Sequence, residues 1–146
     1  MADGAGPATD RVSAEIELQV QFYDLDPMAV VWHGNYARYF EHARCALLDR
    51  IGYNYAEMKD SGYLWPVIDL HVRFAQPATF GQRITVRAEL VEWENRMKIE
   101  YVITDRTSGK RLTKGATVQV AVSAATGEMC FVSPPVLFAK LGLPLP

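Results

Sequence analysis

The sequence predicts an α+β fold, a curved antiparallel sheet wrapped around one long central helix. Three observations carry that expectation. One long stretch, from Asn35 to Gly52, repeats apolar residues at helical spacing. Five later stretches have the apolar pattern of strands and are set apart by turn residues. No repeat or shift in composition divides the 146 residues, a length suited to one domain.

The elements follow in order. Residues 1–14 read as a flexible N-terminal tail and 15–146 as a single domain. Met1 to Arg11 is rich in Ala, Gly, Pro and Asp and lacks the basic start and apolar centre of a signal peptide. Residues 16–23 alternate apolar and polar side chains and predict a first strand. Asp24 to Gly34 breaks the alternation, and Pro27 cannot continue a central strand. In the helix, Tyr36, Tyr39, Phe40, Ala43, Leu47, Leu48 and Ile51 share one face. Asn35 is the expected N-cap and Gly52 the left-handed stop. After a mixed segment, 53–63, strands are expected at 64–74, 82–94, 97–106 and 111–123, with a short one at 128–132. Ser133 and Pro134 resemble the N-cap and first-turn proline of a short closing helix over 134–141. One sheet with one helix leaves an edge unprotected, so a homodimer at least is expected.

Bulk properties exclude several classes. A composition 49% hydrophobic and 22% charged is that of a globular chain. A formal charge of −2 supplies no global field for nucleic acid or an anionic membrane surface. No apolar run approaches the roughly 20 residues that span a bilayer. Cys45 and Cys130 have neither metal nor redox spacing, which predicts reduced thiols and a cytoplasmic location. His42 and His71 lack metal-ligand spacing, so no metal is expected.

The densest group of chemically capable residues runs from Phe22 to Tyr36 and holds Asp24, Asp26, His33 and Gly34 directly before the helix. Free N–H groups at a helix start form a positive end that polarises a thioester carbonyl and stabilises its developing oxyanion. A neighbouring Asp can attack as nucleophile or activate water as general base. Each residue also has a plainer reading. Asp24 and Asp26 beside Pro27 suit a turn, His33 suits packing, Gly34 makes room, and Glu41 and His42 suit a solvated helix surface.

The string from Val20 to Glu41, with Asp24-Leu-Asp26-Pro, Trp32-His33-Gly34-Asn35-Tyr36 and Glu41, resembles the signature of the hotdog-fold acyl-CoA thioesterases. The nearest subgroup is 4-hydroxybenzoyl-CoA thioesterase and its Tol-Pal-associated relatives, and the likeness extends from about Ile16 to Val132. The resemblance implies that Asp26 is the catalytic carboxylate and that the backbone N–H of His33 binds the thioester oxygen. It places Tyr36 and Glu41 on the helix beside the pocket. It also implies dimers whose sheets join, often pairing into tetramers, with sites at the subunit interface. Trp32, Asn35, Tyr36, Glu41, Trp65 and Pro66 are the expected substrate contacts. Arg96, after Glu92-Trp93, is the surviving candidate for a coenzyme A phosphate. No separate cofactor is expected, because coenzyme A or phosphopantetheine is part of the substrate. Two departures stand out: Ala29 where the family often has Gly, and Gln82 where it often has Asp. An acyl carrier protein is the alternative carrier, as in thioesterases of aryl-polyene type biosynthesis, with Arg73, Arg83, Arg87, Arg96 and Lys98 as basic contacts. A hotdog hydratase or dehydratase is disfavoured by the absent His-Phe-Pro type signature, and a non-catalytic acyl-binding dimer by the retained Asp26.

Overall fold

The sheet is built from strands whose alternation is legible residue by residue. A computed structural model describes residues 12–146. Its strands are β1 (Ser13–Gln19), β2 (Tyr63–Leu64), β3 (Val67–Phe74), β4 (Arg83–Glu92), β5 (Met97–Asp105), β6 (Arg111–Gln119) and β7 (Val122–Ser123). Its helices are α1 (Tyr36–Arg50), α2 (Tyr55–Asp60) and α3 (Pro135–Leu141). Five strands form one antiparallel sheet in the order β1-β4-β5-β6-β3, while β2 and β7 pair separately.

Ile84, Val86, Ala88 and Leu90 of β4, with Met97, Ile99, Tyr101 and Ile103 of β5, point inward and are buried. Helix α1 lays Tyr36, Tyr39, Phe40, Ala43, Leu47 and Leu48 against this face. Its approach depends on Gly115 of β6. A Cβ there would fall 2.5 Å from the Phe40 ring and 2.6 Å from the His71 carbonyl oxygen. Phe40 fills that space and stacks on Tyr101 at 4.3 Å with an 8° interplanar angle. This is the α+β hotdog architecture the sequence predicts, with α1 as the enclosed helix.

Several local expectations are corrected. The first strand runs from Ser13 to Gln19 rather than over 16–23. Gln21 and Asp24 bond reciprocally there and wind Phe22–Asp24 into a 3-10 turn. Ser13 and Ala14, read as tail, are therefore strand, while residues 1–11 of that tail lie outside the described residues. The mixed segment contains α2, started by a capping box of Asn54 and Glu57. The strand expected over 111–123 divides after Gln119, and the 128–132 stretch contributes only the bridge of Met129 to Val122. The closing helix is capped by Pro134 rather than Ser133, whose buried hydroxyl has no hydrogen-bond partner among the described residues. Gly52 does take the left-handed conformation, at φ +71°.

Strand β3 pairs with β6 along one edge only, so its other edge is free among the described residues. It leaves Val67, Ile68, Leu70 and Phe74 half-exposed. No helix among the described residues is long and apolar enough to cross a membrane.

Candidate active site

A tight hairpin holds Asp26. Leu25 bridges Val31, the Asp26 N–H donates to the Val30 carbonyl at 2.9 Å, and the Ala29 N–H donates to the Asp26 carbonyl at 2.9 Å. Pro27 presets the first turn position, and Ala29 closes the loop at φ +64°. The Met28 N–H donates to Asp26 Oδ1 at 2.8 Å, which orients the carboxylate. Oδ2 has no hydrogen-bond partner among the described residues.

A second turn presents the helix start. His33–Asn35 forms a 3-10 turn running directly into α1. The Trp32 N–H bonds the Asp24 carbonyl at 3.0 Å and the Asn35 N–H bonds the Trp32 carbonyl at 2.9 Å. The N–H groups of His33 and Gly34 thus lead the helical run, where donors lack internal acceptors. Asn35, expected as an N-cap, makes no side-chain cap. Its amide instead donates to the Asp24 carbonyl at 2.8 Å. Gly34 lies against the Trp32 ring, and a Cβ there would fall 2.4 Å from a ring carbon.

The residue that sequence reasoning undervalued is Asp24. It is 4% exposed, and its Oδ2 accepts the Tyr39 hydroxyl at 3.0 Å and the Gln21 N–H at 2.9 Å. With its carbonyl holding Trp32 and Asn35, Asp24 ties the hairpin to α1. Burial, reinforced by the hydrogen bond and charge of Asp24, pushes the Tyr39 phenol far above its ordinary range.

The hairpin docks on the segment after β3: the Val31 N–H donates to the Ala78 carbonyl at 2.9 Å, and Val30 bridges Thr79. Between them lies a cleft of about 230 Å³ lined by Asp26, Val30, His33, Tyr36, Phe74 and Pro77. Tyr36 meets Phe74 edge-on at 5.0 Å. Burial raises its phenol, offset in part by the hydrogen bond it accepts from the Ala78 N–H. The cleft is thus apolar on one wall, with a carboxylate and helix-start donors on the other.

Of the anticipated site residues, the structure brings Asp26, His33 and Tyr36 together in this cleft. Trp32 sits beside it on the surface, its ring 5.3 Å from that of His33. Asn35 is turned inward to Asp24. Glu41 points to solvent and pairs with Arg44 at 3.3 Å, so it does not line the cleft. Trp65 and Pro66 are also elsewhere. Trp65 is buried, donating to the Tyr53 hydroxyl at 3.1 Å. It precedes the Val67 end of β3, roughly 23 Å along the strand from Phe74. Arg96 lies on the other face of the sheet and bonds Glu92 twice, at 3.0 and 3.1 Å.

The profile of the thioesterase-like superfamily matches residues 20–140. A Bacillus subtilis protein with the provisional name acyl-CoA thioesterase YneP is 31% identical over 77 residues, 53% of this chain and 56% of that protein. The chloroplastic acyl-acyl carrier protein thioesterase ATL3 of Arabidopsis thaliana is 36% identical over 76 residues, 52% of this chain and 40% of that protein. The chain therefore spans about half the length of these curated relatives. Among solved structures, the DHNA-CoA thioesterase of Staphylococcus aureus superposes with a TM-score of 0.75 at 27% identity, covering 82% of this chain and 80% of that one.

Proposed function

The chain belongs to the thioesterase-like superfamily, and from that premise we propose that it hydrolyses the thioester of an acyl or aryl group carried on coenzyme A. The observation that carries this reading is the single cleft shared by the Asp26 carboxylate and the leading turn of the helical run. A thioester carbonyl oxygen placed at the His33 N–H is polarised where the helix end is positive. Asp26 then either attacks the carbonyl carbon, expelling the thiolate and leaving an anhydride that water opens, or takes a proton from a water that attacks directly. Either route consumes one water and yields a carboxylic acid and a free thiol. The Tyr36 and Phe74 rings supply the apolar wall for the acyl or aryl group.

Within the superfamily, the Asp24 to Glu41 string favours the 4-hydroxybenzoyl-CoA and Tol-Pal-associated subgroup. The match to a plant acyl-acyl carrier protein thioesterase supports a second carrier, phosphopantetheine on a carrier protein. In this reading the protein works in the cytoplasm as a homodimer or homotetramer. The free edge of β3, with Val67, Ile68, Leu70 and Phe74 half-exposed, supports pairing between two copies. Antiparallel pairing there sets the Trp65 end of one strand beside the Phe74 end of the other. Trp65 and Pro66 would then reach the cleft across the interface.

The test is free-thiol release from a panel of aryl- and acyl-CoA esters by wild type and Asp26→Asn. The variant is expected to lose on the order of a hundredfold or more in turnover with its fold intact. Equal turnover by the two proteins would refute the role of Asp26.

A further inference from the structure

We propose that the outer face of the sheet carries a binding site for the phosphate that ends a pantetheine arm, with Arg73 and Lys114 as its ligands. The proposal rests on the thioesterase reading and adds to it a second, remote point of substrate attachment.

Strand alternation turns Asp69, His71 and Arg73 of β3 outward, together with Lys98 of β5 and Lys114 of β6, and these residues line a groove of about 420 Å³. Arg73 and Lys114 are direct cross-strand partners in the β3–β6 register. Like charges directly opposite one another destabilise a sheet. Glu89 also stands opposite Glu100, but several other charges on the sheet find partners of opposite sign. Glu15 stands opposite Arg87 and pairs with it at 3.8 Å, Arg106 pairs with Glu17, and Glu92 takes both Arg96 and Lys98. Among the described residues neither Arg73 nor Lys114 has an ion-pair partner. His71, two residues along β3 on the same face, adds a third donor. Asp69 and Glu100 also line the groove, but neither is within ion-pair distance of Arg73 or Lys114. The two cations therefore face one another at this end without a bridging carboxylate, and a bound anion would relieve their repulsion.

Position relates the pair to the chemistry. Arg73 adjoins Phe74, so one faces the groove and the other the cleft across a single strand. β3 ends there, with the N–H groups of Ala75 and Gln76 both bonded to the Leu112 carbonyl. A pantetheine arm rounding the strand end joins an acyl group at Asp26 to a phosphate between Arg73 and Lys114. Coenzyme A and a carrier protein present the same phosphate on that arm, so either source fits. Arg96, the contact expected from sequence, lies at the other end of the groove and is already engaged by Glu92.

The test compares wild type with the double variant Arg73→Gln/Lys114→Gln on one acyl group carried three ways: on coenzyme A, on a holo-carrier protein, and on N-acetylcysteamine, which has no phosphate. KM for a phosphate-bearing ester is expected to rise roughly tenfold with kcat retained, and its dependence on salt to flatten. Kinetics on the N-acetylcysteamine ester should not change. A rise confined to the coenzyme A or the carrier ester sustains the site and names its source. Equal KM values on both phosphate-bearing esters, or the same rise on the phosphate-free ester, overturn it. Thermal denaturation of the double variant and of Lys114→Gln alone checks that the fold is intact. If wild type cleaves none of the esters, the thioesterase reading fails, and calorimetry with free coenzyme A still decides the groove. Weaker binding by the double variant keeps it, and equal binding removes it.

Discussion

Asp24 and Asp26 are separated by one residue yet occupy opposite environments. Asp26 is half-buried, with one oxygen oriented by the Met28 N–H and the other without a hydrogen-bond partner among the described residues. Asp24 is enclosed, and each of its oxygen-bearing groups is committed to holding the loop on α1. Asp24→Asn replaces a charge-assisted acceptor with a neutral one. It is expected to cost about 1–2 kcal/mol in denaturant unfolding, and to lower kcat more than it raises KM as the cleft walls lose alignment. Ala29 offers the converse change. An L-residue at φ +64° is strained, so Ala29→Gly is expected to raise stability by about 0.5–1 kcal/mol after the entropy glycine loses on folding, measured as a higher denaturant midpoint. At this scale Asp26 and His33 were legible because carboxylate, proline and helix start lie together in the chain. Asp24 was not, because its value depends on Tyr39, which reaches it only after the loop folds back onto the helix.

At the scale of elements, the contact between α1 and β6 turns on one missing side chain. Gly115→Ala would drive a methyl into the Phe40 ring and the His71 carbonyl oxygen, which is backbone and cannot swing aside. An overpacking cost of about 1–3 kcal/mol is expected, together with loss of the Phe40–Tyr101 stack, detectable by near-ultraviolet circular dichroism. The long helix and principal strands were readable from periodicity, since each buries one face. α2 was not, although Asn54 and Glu57 stand at capping-box spacing, because six residues show too few turns for a helical period. Within one chain Trp65 stands apart from the cleft for a related reason. A tryptophan beside a proline looks like a pocket wall in sequence, whereas here it packs on Tyr53 and its carbonyl accepts the Gln119 amide.

Across the whole molecule, three buried phenols bear on stability at alkaline pH. Burial is the largest cause of the raised values of Tyr36, Tyr39 and Tyr101, and for Tyr101 it outweighs the opposing charge of Arg44. A proton-binding group raised on folding contributes fully below its unfolded value, near 10, and loses that contribution as pH climbs toward the folded value. Stability is therefore expected to fall from about pH 10 upward, followed by urea midpoints across that range. Tyr39→Phe should make the decline shallower; an unchanged slope would mean that Tyr39 takes no part in it.

Strand order has a consequence for how this protein comes into being. β1 pairs with β4 and β3 with β6, partners separated by dozens of residues, whereas α1 is made of one local stretch. During synthesis the helix and the Asp26 hairpin emerge first, but the opposite wall, carried by Phe74 and Pro77, has no strand to lean on until residues 111–119 follow. Distant pairings are slow to close, so catalytic competence should be the last property acquired in refolding. A chain cut short before β6 would hold every residue of the cleft and still lack the cleft.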